Sequence, residues 1–161
     1  MSGATESVRA DAAAAGRPTL RSTLLYASAA LLALVGVGDS VYLTIQHLLG
    51  NTLRCTLTSG CSEVLGSPYA SLAGVPLAAF GAVAYFTAFS LATLAAFGYA
   101  KARTLLTALV AAMFAVTLWL LYLQAFVLQA FCQFCLLSAA VTTALAVVVV
   151  AERLTRRRAT Q

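Results

Sequence analysis

The sequence predicts an all-α membrane protein: a bundle of four transmembrane helices, both termini cytoplasmic, with a periplasmic loop between helices 1 and 2. Three observations predict it. Hydrophobic residues make up 61% of the 161-residue chain and charged ones only 9%, whereas a soluble domain carries roughly a quarter charged residues. Four apolar runs each supply the ~20 residues that one bilayer crossing needs. The basic residues gather on one side of those runs. Lipid offers backbone groups no partner, so helices are the expected form. No segment alternates over about ten residues as a barrel strand would.

Residues 1–21 read as a short cytoplasmic tail; the apolar run after it is too long for a signal-peptide core and reads as a retained helix. The membrane domain is expected over 22–152, with spans near Leu24–Leu49, Val75–Gly98, Thr104–Ala130 and Gln133–Ala151. An outer loop covers 50–72, and residues 153–161 form a basic cytoplasmic tail. Spans two and four are rich in Ala, and small residues let helices approach closely in lipid. Pro68 and Pro76 mark the junction of loop and second span, and a proline is tolerated at a helix start.

Orientation comes from charge. Arg9, Arg17 and Arg21 precede span one, Lys101 and Arg103 join spans two and three, and Arg153, Arg156, Arg157 and Arg158 follow span four. Only Arg54 lies in the first loop. The rich side is cytoplasmic by the positive-inside rule. The net charge of +5 is thereby read as membrane orientation, and nucleic acid is excluded as a partner. In a bacterium this places the protein in the inner membrane, with all four cysteines on the periplasmic side, where disulfides persist.

The cysteines form two pairs. Cys132 and Cys135, in "CQFC", share one face of a helix start, with Cα atoms about 5 Å apart by helix geometry. The helix N-terminus favours a thiolate there. Cys55 and Cys61 enclose the small residues "TLTSG". Alone, Cys132 and Cys135 also read as a buried pair of small apolar residues and Cys55 and Cys61 as a structural staple, and four cysteines also admit a metal site, although C-x5-C is wider than structural zinc spacing. Together they suggest a relay by thiol–disulfide exchange, in which a mobile pair visits a soluble partner and then a fixed pair. A fixed pair at membrane depth needs an acceptor in lipid, and a quinone is the two-electron candidate.

Cys55, Cys61, Ser67, Tyr69–Ala70 and Gly74-x-Pro76, with "CQFC" about fifty residues later, resemble the bacterial branch of the vitamin K epoxide reductase family. The resemblance covers about Thr23 to Glu152. It implies a four-helix bundle around a quinone, ubiquinone or menaquinone. It also implies a periplasmic thioredoxin-like or DsbA-like partner. Carried over residue by residue, Cys135 reduces the quinone and Cys132 is its partner. Cys55 attacks Cys132, Cys61 meets the thioredoxin-like protein, and Ser67 lies near the quinone. Many bacterial members carry a fused thioredoxin-like domain; here the chain ends at Gln161, so a separate partner is expected. Ala139 stands where vertebrate members carry a tyrosine that helps hold vitamin K, which argues for quinone reduction over epoxide reduction. DsbB-type oxidases place their two pairs in the reverse order.

Other polar residues interrupt the apolar runs. Asp39 lies beyond the middle of span one, and an intramembrane carboxylate commonly faces a cavity; it is read either as a proton-handling group at the redox site or as a packing residue. His47 reads as a solvated helix-end residue. Gln124 and Gln129 face either the quinone or the bundle interior, and the residue pattern does not choose. Tyr85, Trp119 and Tyr122 are expected in packing or ring contacts.

Overall fold

The computed structural model describes residues 20–50, 60–72 and 74–159. Cys55, Arg54 and nearly all of the expected N-terminal tail lie outside the described residues. Helix α1 runs Leu20–Leu48, α2 Cys61–Leu65, α3 Leu77–Ala96, α4 Ala100–Tyr122 and α5 Gln133–Ala159. Four of them, all but α2, are long and apolar enough to cross a membrane. Between α2 and α3 lie a 3-10 turn, Pro68–Ala70, and a two-stranded antiparallel hairpin, β1 Ser71–Leu72 with β2 Val75–Pro76. Gly74, at φ +81, turns the chain between those strands in a conformation that glycine adopts without steric cost.

Helix ends obey local chemistry. Pro76 directly precedes α3, where its missing N–H is not needed. The same helix stops at Gly98, φ +99. The N–H of Gly98 returns to the Ala95 carbonyl and that of Tyr99 to the Leu94 carbonyl, the Schellman arrangement that satisfies terminal carbonyls. Helix α5 continues through Arg153–Arg158 to Ala159, so most of the expected basic tail is helical. Helix α4 gives way to a π-turn over Leu123–Val127, and residues 128–132 are not helical, so the third span ends short of the expected Ala130.

The long helices pack in a ring: α1 on α3 and α5, and α4 on α3 and α5. The buried residues of α1 are Ser22, Tyr26, Ala29, Ala33, Gly36, Ser40 and Leu43, at alternating steps of four and three. That spacing draws one seam along the helix. Tyr85, Ala88, Ala92 and Ala95 form the matching seam on α3. With no hydrophobic drive between helices in lipid, close backbone approach supplies the attraction. Leu106 and Val110 of α4 and Val141, Leu145 and Val149 of α5 complete this core. At the end where α1 begins and α5 stops, buried Glu152 pairs with Arg156, and the Arg103 guanidinium lies 6.0 Å over the Tyr26 ring.

Candidate redox site

A second, smaller cluster occupies the opposite end. It contains Cys61, Val64, Ala130 and Cys132, with Leu65, Leu128, Phe134 and Cys135 against it. Two backbone features build it. Gly60 precedes α2, its carbonyl accepting the Val64 N–H at 3.0 Å. A Cβ on Gly60 would fall 2.8 Å from the Phe131 nitrogen and 2.9 Å from the Ala130 Cβ. Its φ of −94 is ordinary, so the glycine serves close approach of the loop to the 130–131 segment. That approach lands Cys61 beside Cys132, with the two sulfurs 3.6 Å apart. Both residues are essentially without solvent exposure. Cys61 is disulfide-bonded, while Cys132 and Cys135 are free thiols.

Cys132 stands at the cap position of α5, its carbonyl accepting the Leu136 N–H at 3.0 Å. A cap side chain is placed to accept the open N–H groups of the first turn. Here the sulfur does so. A hydrogen bond with Cys135, and after it the backbone N–H groups of Cys135 and Phe134, pulls the Cys132 thiol down to about 7. Burial and the Asp39 charge oppose this without reversing it. The Cys135 hydrogen bond, more than the helix start, thus favours the thiolate form of Cys132.

The two thiols face different neighbours. Cys132 abuts Cys61, whereas Cys135 opens on a cavity of about 160 Å³. All four long helices and the loop contribute to its wall: Asp39, Leu43 and His47 from α1, Ser67 and Tyr69 from the loop, Gly81 from α3, Leu120 from α4, and Ser138 and Ala139 from α5. One Asp39 carboxylate oxygen, Oδ2, is buried and has no hydrogen-bond partner among the described residues. Such a group costs free energy unless a ligand or a proton meets it. Ser67 lines the cavity, and its hydroxyl donates to the Val64 carbonyl at 2.7 Å. His47 is exposed and lies on the cavity wall.

Tyr85 is 2% exposed. Its hydroxyl reaches the Ser138 hydroxyl at 2.8 Å and that of Thr142 at 2.7 Å. It thus ties α3 to α5 across the ring, just below Cys135. Trp119 stacks on Tyr122, with centroids 6.1 Å apart, and both are exposed on the outside of the bundle.

The undecided glutamines separate. Gln129 is exposed and has φ +49 in the turn before the inner pair. Gln124 is 3% exposed, and its Oε1 accepts the Cys132 N–H at 3.1 Å. The available signal was an amide eight residues before a cysteine in a largely apolar run. Sequence reading gave no role to Gly60, whose importance lies in a contact with residues seventy positions away.

The resemblance assigns the attack on Cys132 to Cys55; among the described residues the sulfur beside Cys132 is that of Cys61. The described residues bring together no group of three His, Cys, Asp or Glu side chains able to hold a metal ion. A model of the vitamin K epoxide reductase family matches residues 27–150, a range that takes in both cysteine pairs and most of the four long helices.

Proposed function

The chain belongs to the vitamin K epoxide reductase family, which makes it a multi-pass membrane oxidoreductase acting on disulfides. From that premise we propose that it oxidises a periplasmic thioredoxin-like or DsbA-like dithiol protein and delivers the two electrons to a membrane quinone. The observation that carries this reading is the split between the thiols: Cys132 faces the loop cysteine at 3.6 Å and Cys135 faces the cavity. In this reading the protein sits in a bacterial cytoplasmic membrane with both termini inside and the cysteine end outside, as the basic residues favour.

The relay conserves electrons at each exchange. The partner's two thiols reduce the Cys55–Cys61 disulfide and become a disulfide themselves. The Cys61 thiolate then attacks Cys132 in the Cys132–Cys135 disulfide. A Cys61–Cys132 bond forms, and Cys135 leaves as thiolate. Cys55 attacks Cys61, restoring the loop disulfide and releasing Cys132. The two electrons now reside on Cys132 and Cys135. The oxidation state of the structure corresponds to this point, with Cys61 in a disulfide and both inner thiols free. The short sulfur contact supports Cys61 as the attacking sulfur, and Cys55 is then left to meet the partner.

The cavity fits a quinone head group. An apolar cavity of about 150 Å³ takes up a single six-membered ring, and this one is of that size. The orphaned Asp39 oxygen suits a reaction that consumes protons. Asp39 and Ser67 are the proposed contacts. A bound quinone supplies a sink for two electrons and two protons. The chain's own part is to hold Cys135 at the cavity, to keep Cys132 ionised, and to carry a proton at Asp39.

The test is quinone reduction by purified protein in detergent, driven by a reduced DsbA-like protein. Wild type turns over, and Cys135→Ala and Cys61→Ala are inactive. An inert wild type whose disulfides resist reduction would make the cysteines structural staples and end the proposal.

A further inference from the structure

We propose that Gln124 is a bridging residue. Its side-chain oxygen fixes Cys132, and its amide nitrogen donates a hydrogen bond to a carbonyl oxygen of the electron acceptor. The inference rests on the proposed quinone chemistry and names a group of the protein that would recognise that acceptor.

The first half is geometric. Gln124 is 3% exposed, and its Oε1 meets the Cys132 N–H at 3.1 Å. Its own carbonyl accepts the Ala130 N–H at 3.2 Å. One residue therefore holds both the middle and the far end of the non-helical stretch that carries Cys132. The π-turn makes this reach available. The Leu128 N–H returns to the Leu123 carbonyl at 2.8 Å, five residues back, which inserts one extra residue into the turn. Each residue advances a helix by about 100°, so the insertion re-aims the residues beyond it. Single π-turns are frequent at functional sites for this reason.

The second half comes from the amide's chemistry. A backbone N–H can be met only by the oxygen of a side-chain amide. That fixes which end of Gln124 faces Cys132 and leaves the NH2 group for the cavity, which Gln124 lines together with Cys135. Two hydroxyls on the wall are already engaged. Ser67 donates to Val64, and Ser138 shares its hydroxyl with Tyr85. Asp39 accepts unless protonated. Gln124 is thus a neutral donor on the wall whose partner the fold leaves to a ligand. A group that holds the attacked cysteine and also touches the acceptor ties the two half-reactions in space.

Two variants separate the two halves. Gln124→Leu removes both ends of the bridge; Gln124→Glu keeps an acceptor for the Cys132 N–H. The first readout needs no quinone. In a Cys55→Ser, Cys135→Ser background, oxidised glutathione takes two electrons from Cys61 and Cys132 and leaves them cross-linked. The cross-linking rate is measured by peptide mapping. It falls about fivefold or more with Gln124→Leu and returns with Gln124→Glu. An unchanged rate in Gln124→Leu, or no return in Gln124→Glu, overturns the holding role.

The second readout is the KM for a ubiquinone bearing one isoprene unit, with dithiothreitol as reductant and the four cysteines intact. Loss of one hydrogen bond raises KM about tenfold in Gln124→Leu, with a smaller change in kcat. A wild-type KM in that variant overturns the donor role. If wild type reduces no quinone while the cross-linking readout behaves as expected, the quinone reading fails and the holding role stands.

Discussion

The two ends of this bundle are built on opposite principles. The end where α1 begins and α5 stops is packed by small side chains: Ala29, Ala33, Ala88, Ala92 and Ala95 have no solvent exposure. Their contribution is close helix approach, repeated along a seam. The cysteine end has few such repeats. It holds a cavity, a helix cap made by a thiol, a π-turn, and a loop resting on bare backbone at Gly60. In the first region each residue does the same job as its neighbours, so the seam is a scaffold. In the second each residue does one job that no other does. Substitutions in the seam should damage folding and activity together, whereas substitutions at the cysteine end should separate one step from the next.

Gly36 against Gly60 is the sharpest form of that contrast, and Gly36 the larger effect. A Cβ on Gly36 would lie 2.7 Å from Cγ of the Tyr85 ring, which is pinned to α5 by its hydroxyl. Overpacking of this kind costs typically about 1–3 kcal/mol and more where the neighbour cannot move. Gly36→Val is expected to lower the thermal midpoint in detergent sharply and to remove turnover with every reductant. A folded, active Gly36→Val would mean that the two ends are not separate in the way argued.

Asp39→Asn comes next. It removes an orphaned carboxylate from the cavity wall, so stability is expected to hold or rise. Quinone reduction should fall by about a hundredfold, the scale of a lost general acid. Cross-linking of Cys61 to Cys132 should continue. Full turnover in this variant would return Asp39 to a packing role.

Gly60→Ala is smaller and more selective. Two of its clashes are with Phe131 backbone atoms, at 2.8 and 3.0 Å, and backbone cannot rotate away. The loop should lift and Cys61 should part from Cys132. Turnover driven by a reduced thioredoxin-like protein is expected to fall about tenfold. Turnover driven by dithiothreitol, which reaches the inner pair without the loop, should persist. Equal loss with both reductants would mark Gly60 as a folding residue.

This division also explains which features could be read from the sequence. The four spans were legible because lipid imposes a length and a composition on each crossing. The "CQFC" helix start was legible because its spacing is local. The short helix Cys61–Leu65 and the hairpin through Gly74 were not, since elements this brief are held by the surfaces they rest on. Gln124 stayed undecided for a related reason. In a run apolar on every side, periodicity does not distinguish the lipid face from the interior, and nothing in the sequence announces a π-turn. The order within the loop pair came from resemblance alone, and the contact of Cys61 with Cys132 now favours the other order.

The smallest expected effect tests the cap at Cys132. Its thiol is held down to about 7, first by the hydrogen bond with Cys135 and then by the N–H groups of α5's first turn. The thiolate is the nucleophile, so the sign is fixed: exchange at Cys132 is slow below pH 7, rises through it, and levels above. Thiolate absorbance near 240 nm, with the loop pair replaced by serine, should titrate with a midpoint about one to two units below the free-thiol value of ~8.5. Replacing Cys135 by Ser leaves a hydroxyl able to donate and should move the midpoint little. Cys135→Ala removes the largest cause and should move it up, while the backbone donors keep it from returning to the free value. If instead the midpoint in Cys135→Ala equals that of a free thiol, the helix start contributes nothing and the cysteine end is held by the pair alone.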